Sequence, residues 1–169
     1  MAAPTAACAR SATAGVPAPP EPSRAPSPLT TPSAGGFWVR RLEEVPLVPT
    51  DDPDDFDWYP LQQHFGLGAF GVNAFAGDAG TTLVAEHDER ESGQEELYVV
   101  VRGAARFTLA GKGFEATAIT VVAIPDPAVK RAAVATEDGT IVLAVGAPAS
   151  SGFATTWNEA NFEQVPRAE

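Results

Sequence analysis

The side chains with the clearest chemical potential lie in one short stretch: His87, Glu89 and Glu96. The chain has two histidines and a single cysteine, Cys8. This excludes an internal disulfide, a four-cysteine zinc site and a cysteine-held iron–sulfur cluster. Any metal must therefore be held by imidazole and carboxylates. On extended backbone His87 and Glu89, two residues apart, share a face. Glu96 shares its face with Tyr98, Val100 and Arg102, while Leu97, Val99 and Val101 take the other. That is an awkward place for a carboxylate. Three groups such as these, if gathered in one pocket, put two ionised carboxylates into poorly solvated space, at a cost of several kcal/mol unless they are neutralised. A divalent cation, a basic side chain or protonation of one glutamate would each do it. Lys130 and Arg131 are adjacent, so on a strand only one of them can face inward.

Other chemistries find little support. There is no Gly-x-Ser-x-Gly elbow, no phosphate-cradling Gly-Lys-Ser/Thr loop and no dinucleotide fingerprint. Eleven Lys and Arg stand against twenty-two Asp and Glu, a formal charge of -11. Such a chain is repelled by nucleic-acid backbones and anionic lipid surfaces. No apolar run is long enough to span a membrane, and a cytoplasmic protein is expected.

The elements that must position these groups read as strands. The 169 residues suit one domain and a tail. Residues 1–36 hold eight of the sixteen prolines and no aromatic residue, a composition that predicts disorder. From Phe37 on, short apolar runs alternate with Gly, Pro, Asp and Ser. Strands are predicted at Phe37–Arg40, Ala69–Ala76, Thr81–His87, Leu97–Arg102, Ala104–Leu109, Phe114–Thr117, Ile119–Ile124, Val129–Ala135 and Thr140–Val145. One short helix is expected near Trp157–Glu163, capped by Thr155 or Thr156. Asp51 to Asp57 reads as a solvated acidic loop, and Leu61–Gly66 with His64 as a turn. Gly103 forces a reversal or kink, and Ala110–Gly113 supplies a tight hairpin. Leu97–Leu109 and Phe114–Ile124 would then form a meander. Asn73 either lines the barrel or sits at a bulge, and Trp38, Trp58 and Trp157 are expected at barrel ends or a dimer contact.

His87-Asp88-Glu89, followed by Glu96-Leu97-Tyr98-Val99-Val100-Val101-Arg102-Gly103, resembles the first motif of the cupin family, a double-stranded jelly-roll barrel. There a His-x-His pair precedes, by three or four residues, a Glu that is followed after six residues by a Gly. The two His and the Glu bind a divalent metal. His87, Glu96 and Gly103 match; Glu89 replaces the second histidine, and the gap to Glu96 is longer. The family's second motif is a Gly, five residues, Pro-x-Gly, two residues, His, three residues and Asn. It is similar to Ile119 through Val134 only at Pro125, with Pro127 replacing the second Gly and Lys130 the histidine.

The resemblance, which covers roughly Ala69 to Val145, implies an all-β fold. This is a cupin double-stranded β-helix over residues 37–165, behind a disordered tail and ending in one short helix. It also implies that an amine at Lys130 stands where the last metal ligand would be, so lysine and metal largely exclude each other. The expected protein is a metal-free small-molecule-binding or sensory barrel. Its ligand site comprises His87, Glu89, Glu96, Tyr98, Lys130 and Arg131. The alternative is a metal-dependent oxygenase or isomerase acting on a small polar metabolite, with manganese, iron or zinc on His87, Glu89 and Glu96. A third alternative is a structural or partner-binding barrel. No nucleic-acid or membrane partner is expected, and the resemblance implies a homodimer. A ligand site would require a cavity of roughly 300 Å3 among these residues.

Overall fold

The structure, a computed structural model, describes residues 36–49, 56–152, 163 and 165–168. The acidic residues 51–55, the tail before Gly36 and the expected helix at Trp157 lie outside the described residues. Among the described residues nine strands dominate: β1 (Asp57–Tyr59), β2 (Gly71–Gly77), β3 (Thr82–His87), β4 (Gln94–Arg102), β5 (Ala104–Leu109), β6 (Lys112–Thr117), β7 (Val121–Ile124), β8 (Arg131–Ala135) and β9 (Thr140–Pro148). One sheet has the order β1-β2-β9-β4-β7 and the other β3-β8-β5-β6, with antiparallel pairing throughout. The two sheets face each other across a core that includes Leu83, Tyr98, Val100, Phe107, Ala133 and Val142. Tyr98 of the first sheet meets Phe107 of the second edge to face, with ring centroids 5.7 Å apart.

Period-two patterning explains most of these strands. In β4, Tyr98 and Val100 are buried while Leu97 and Val101 are exposed, as the alternation requires. In β8, Arg131, Ala133 and Ala135 are buried. The β5–β6 hairpin turns on Ala110 and Gly111, both at positive φ, with Leu109 paired to Lys112. Two left-handed residues in a two-residue loop suit the twist of the flanking strands.

Four local expectations are corrected. Phe37–Arg40 is not a strand, because the chain there runs without ladder partners toward a single 3-10 turn at Leu42–Glu44. Asp57–Tyr59 is an additional edge strand on β2. Leu61–Phe65, expected as a turn, forms a short helix, α1, ended by Gly66 at φ 67°. The meander does not form. Gly103, at φ 72°, passes the chain from the β4 sheet to the β5 sheet instead of turning it back. A Cβ at Gly103 would lie 2.4 Å from Thr140 Oγ1 and 2.9 Å from its Cα, so glycine is needed for conformation and for space. Among the described residues no helix is long and apolar enough to cross a membrane.

Candidate functional site

Four strand ends build the site at one mouth of the barrel. β3 ends at His87, β4 begins at Gln94, β8 begins at Arg131, and β9 passes Gly146 opposite Glu96. His87 pairs with Arg131 across the β3–β8 ladder, and Glu96 with Ile124 across β4–β7. One ligand atom from each of His87, Glu89 and Glu96 lies within 4.8 Å of the others. Exposure falls steadily with depth. The side chains are 36% exposed at His87, 18% at Glu89, 12% at Glu96 and 1% at Arg131.

Arg131 is the cation in this site. Its Nε lies 3.0 Å from Glu96 Oε2. Lys130 points the other way, 59% exposed, with its ammonium 3.4 Å from Glu86 on the outer surface. The expected approach of Lys130 to Glu96 is thus corrected. Counting along the second motif put the inward face one residue too early, and a slip of one residue exchanges the two faces of a strand.

Each acid has its own hydrogen-bond frame. Glu96 Oε2, besides its ion pair with Arg131, accepts the Tyr98 hydroxyl at 2.8 Å, while none of the three Arg131 guanidinium nitrogens has a hydrogen-bond partner among the described residues. Burial, and then the neighbouring Glu96 carboxylate, push the Tyr98 phenol far above its ordinary value, so it stays a protonated donor. Glu89 Oε2 accepts from the Ser92 hydroxyl and, at 3.1 Å, from Gln94 Nε2. The Glu89 N–H donates to the Pro127 carbonyl at 2.8 Å, and Gly93 N–H closes the loop on the Glu89 carbonyl. Gly93 takes φ 67° there. The sequence analysis missed Ser92 and Gln94. Their signal was the long gap between Glu89 and Glu96, which makes room for this turn.

His87 Nδ1 lies 2.8 Å from the Ala85 carbonyl. A carbonyl only accepts, so this contact selects the tautomer with its proton on Nδ1 and leaves Nε2 facing Glu89 Oε1 at 3.5 Å. The other aromatic and polar candidates fall outside the cluster. Asn73 faces the barrel interior from β2 and accepts from Trp58 Nε1 at 3.0 Å. His64 stacks edge to face on Phe65 in α1, and Trp38 also meets Phe65.

Beneath Glu96 the interior is filled by Tyr98 and Arg131, both almost fully buried. A groove of about 350 Å3 passes Glu96 but lies on the outer face of its sheet, against Phe70, Leu97, Pro125 and Val145. A larger cleft of about 880 Å3 opens at the opposite end of the same sheet, by Arg41, Tyr59, Asp78 and Arg102. Neither is lined by His87, Glu89 or Arg131. The cavity of roughly 300 Å3 expected among His87, Glu89, Glu96, Tyr98, Lys130 and Arg131 is formed by neither.

Solved structures with the same architecture include cupins. A cupin protein from Bacteroides fragilis is 21% identical, with a TM-score of 0.52 over 72% of this chain and 96% of that one. A cupin 2 conserved barrel domain protein from Salinispora arenicola is 18% identical, with a TM-score of 0.51 over 68% and 92%. A sugar phosphate isomerase from a cupin superfamily, from Silicibacter pomeroyi, is 22% identical with a TM-score of 0.48. There the match covers 55% of this chain and 59% of the other, so this chain spans less than two thirds of that length. No protein-family model and no curated protein sequence matches the chain. The fold is that of the cupins. This chain has the cupin fold, a two-sheet jelly-roll barrel.

Proposed function

We propose that this cupin barrel binds a small polar molecule at its mouth and does so without a resident metal. The observation that carries this reading is the buried pair of Arg131 and Glu96, 3.0 Å apart. A guanidinium against the one glutamate that matches the metal-binding motif supplies the neutralisation a divalent ion would otherwise provide. Adding a dication beside it would place three positive charges against two carboxylates in a half-buried space, and Arg131 cannot release its charge by losing a proton. His87, Glu89 and Glu96 therefore fit a metal poorly as long as Arg131 stays where it is.

The rival reading, a metal-dependent oxygenase or isomerase, draws on the same donor set. Its best support is the His87 ring, whose Nδ1 contact to Ala85 presents Nε2 as a ligand is usually presented. The two readings part on one calorimetric titration. Manganese added to the wild-type chain is expected to give no saturable binding, while Arg131→Met gains measurable affinity. Micromolar manganese binding by the wild type would overturn the metal-free reading. A homodimer is proposed with it, through the outer face of the β4 sheet, where Leu97, Val101 and Val121 are exposed.

A further inference from the structure

The larger cleft, at the end of the sheet away from the mouth, is built around a break in β4. Strict alternation would turn Arg102 inward with Tyr98 and Val100. A bulge between Val100 and Arg102 instead pairs Arg102 with Ile141, while Val100 keeps Val142 as its partner in the core. Arg102 therefore leaves the core side for the outer face. Ile141 also pairs with Ala76, and Ala76 with Asp57. Residues opposite each other in a ladder share a face, so Asp57, Ala76, Ile141 and Arg102 form one row across β1, β2, β9 and β4. All four line the cleft of about 880 Å3. A carboxylate stands at one end of the row and a guanidinium at the other, with two aliphatic side chains as the floor between them.

Three strand spacings of about 4.8 Å put about 14 Å between the backbone ends of that row. Asp57 and Arg102 are too far apart to neutralise each other, and among the described residues neither belongs to an ion pair.

The guanidinium is fixed in place. Arg102 Nε donates to the Gly139 carbonyl at 2.7 Å, and the Gly139 N–H donates to Asp78 Oδ1 at 2.8 Å. A Cβ on Gly139 would lie 3.1 Å from Arg102 Nη2, so the glycine lets the planar group lie close against its turn. With Nε used, the two Nη groups remain as a fork of the kind that grips a carboxylate. At the other end Tyr59, two residues from Asp57 on the same face of β1, also lines the cleft. Burial and then the Asp57 carboxylate raise its phenol above the ordinary value, so it stays a hydroxyl donor.

Charge selects what fits. Arg41 and Glu43 form an exposed ion pair at the rim and cancel. Arg102 against Asp57 and Asp78 then leaves the lining with one net negative charge. A plain anion meets repulsion there, and a plain cation leaves the arginine fork empty. A molecule with both charges adds nothing to the balance and serves both ends of the row.

We propose that this cleft is a second binding site and that its ligand is a small zwitterion of the amino-acid class, its carboxylate on Arg102 and its ammonium on Asp57. Two hydrogen bonds of about 2.9 Å and the reach of both side chains take up most of the row's span. A few ångströms remain, the separation of the two charges in a small amino acid. The site is independent of what the mouth holds, metal included.

Ring signals of the two tyrosines, labelled with carbon-13 in the full chain, test this by NMR. Tyr59 lines the cleft, and Tyr98, buried in the core, is the internal control. Glycine, β-alanine and 4-aminobutyrate are titrated at pH 7 and fixed ionic strength, where all three are zwitterions, beside propionate and propylamine, which carry one charge each. The best of the three zwitterions is expected to move Tyr59 saturably with a millimolar dissociation constant, as suits so few heavy atoms, while Tyr98 stays in place. Propionate and propylamine should bind about tenfold more weakly or less. Arg102→Gln and Asp57→Asn should each weaken that zwitterion about tenfold, with Tyr98 at its wild-type position to show an intact barrel. Equal affinity for propionate or propylamine would remove one half of the assignment and overturn it. Full affinity in both variants, no saturable shift of Tyr59, or a shift of Tyr98 in its stead would overturn it as well.

Discussion

Glu96 Oε2 is shared between the Arg131 Nε at 3.0 Å and the Tyr98 hydroxyl at 2.8 Å. Arg131 stands on β8 and Glu96 on β4, so one carboxylate oxygen ties the two sheets together at the mouth. The site and the stability of the barrel are therefore coupled. Glu96→Gln keeps the shape but leaves a buried guanidinium without its counter-charge, and is expected to cost about 3–5 kcal/mol in urea unfolding. Adding Arg131→Met should recover most of that loss, because removing both charges ends the need for either. Equal destabilisation by the single and double variants would show that the pair is not coupled.

Lys130 gives the contrasting case. Its ammonium and the Glu86 carboxylate are both well exposed, so water and salt screen their attraction. Lys130→Ala should change stability by less than about 0.5 kcal/mol and leave the His87 NMR signals in place. A loss comparable to that of Glu96→Gln would mean that Lys130, after all, reaches the interior.

Tyr98 sets a pH dependence. Its phenol is raised above the unfolded value by burial and then by the Glu96 charge. The folded state therefore holds this proton more tightly than the unfolded one. That contribution is complete below about pH 10 and fades as pH climbs toward the folded value. Tyr59 shifts in the same direction, through burial and the Asp57 carboxylate, and adds to the alkaline loss. Thermal unfolding between pH 9 and pH 11 should show a steeper decline for wild type than for Tyr98→Phe. At neutral pH that variant should cost about 1 kcal/mol for the hydrogen bond to Glu96. Identical alkaline slopes would remove Tyr98 from the account.

Much of the barrel was legible because period-two alternation survives wherever one face is buried. Ala104–Leu109 and the faces of β4 were readable from Val, Tyr and Leu spacing alone. Phe37–Arg40 misled because aromatic and β-branched residues suit a strand by type even where the backbone joins no sheet. The destination of the chain after Gly103 was not legible, since a positive-φ glycine serves a hairpin and a sheet-to-sheet crossing equally well. In the site, His87, Glu89 and Glu96 were visible from their spacing, and Tyr98 from the shared face. Between Lys130 and Arg131 the sequence held no local signal. The turn of Asp126 to Val129 sets which of them opens β8, and although Pro127 fixes its own φ, the ψ angles and the angles of Ala128 that complete the turn are not fixed by residue type.

Gly103 carries a further prediction. A methyl group there would have to avoid the Thr140 side chain and backbone while the residue keeps φ 72°. Thr140 cannot yield readily, since its hydroxyl binds the Ala104 N–H and the Ala104 and Glu137 carbonyls. Gly103→Ala should therefore cost about 3 kcal/mol by strain and overpacking together. An unfolding midpoint within error of wild type would show that the crossing tolerates a side chain.

The most direct test of Arg131 in the metal's role is the metal content of the wild-type chain. The protein would be expressed with added manganese, iron and zinc, dialysed without chelator and measured by mass spectrometry. Only trace amounts of each metal are expected, with no difference between wild type and His87→Ala. About one ion per chain in the wild type, lost in His87→Ala, would contradict the account.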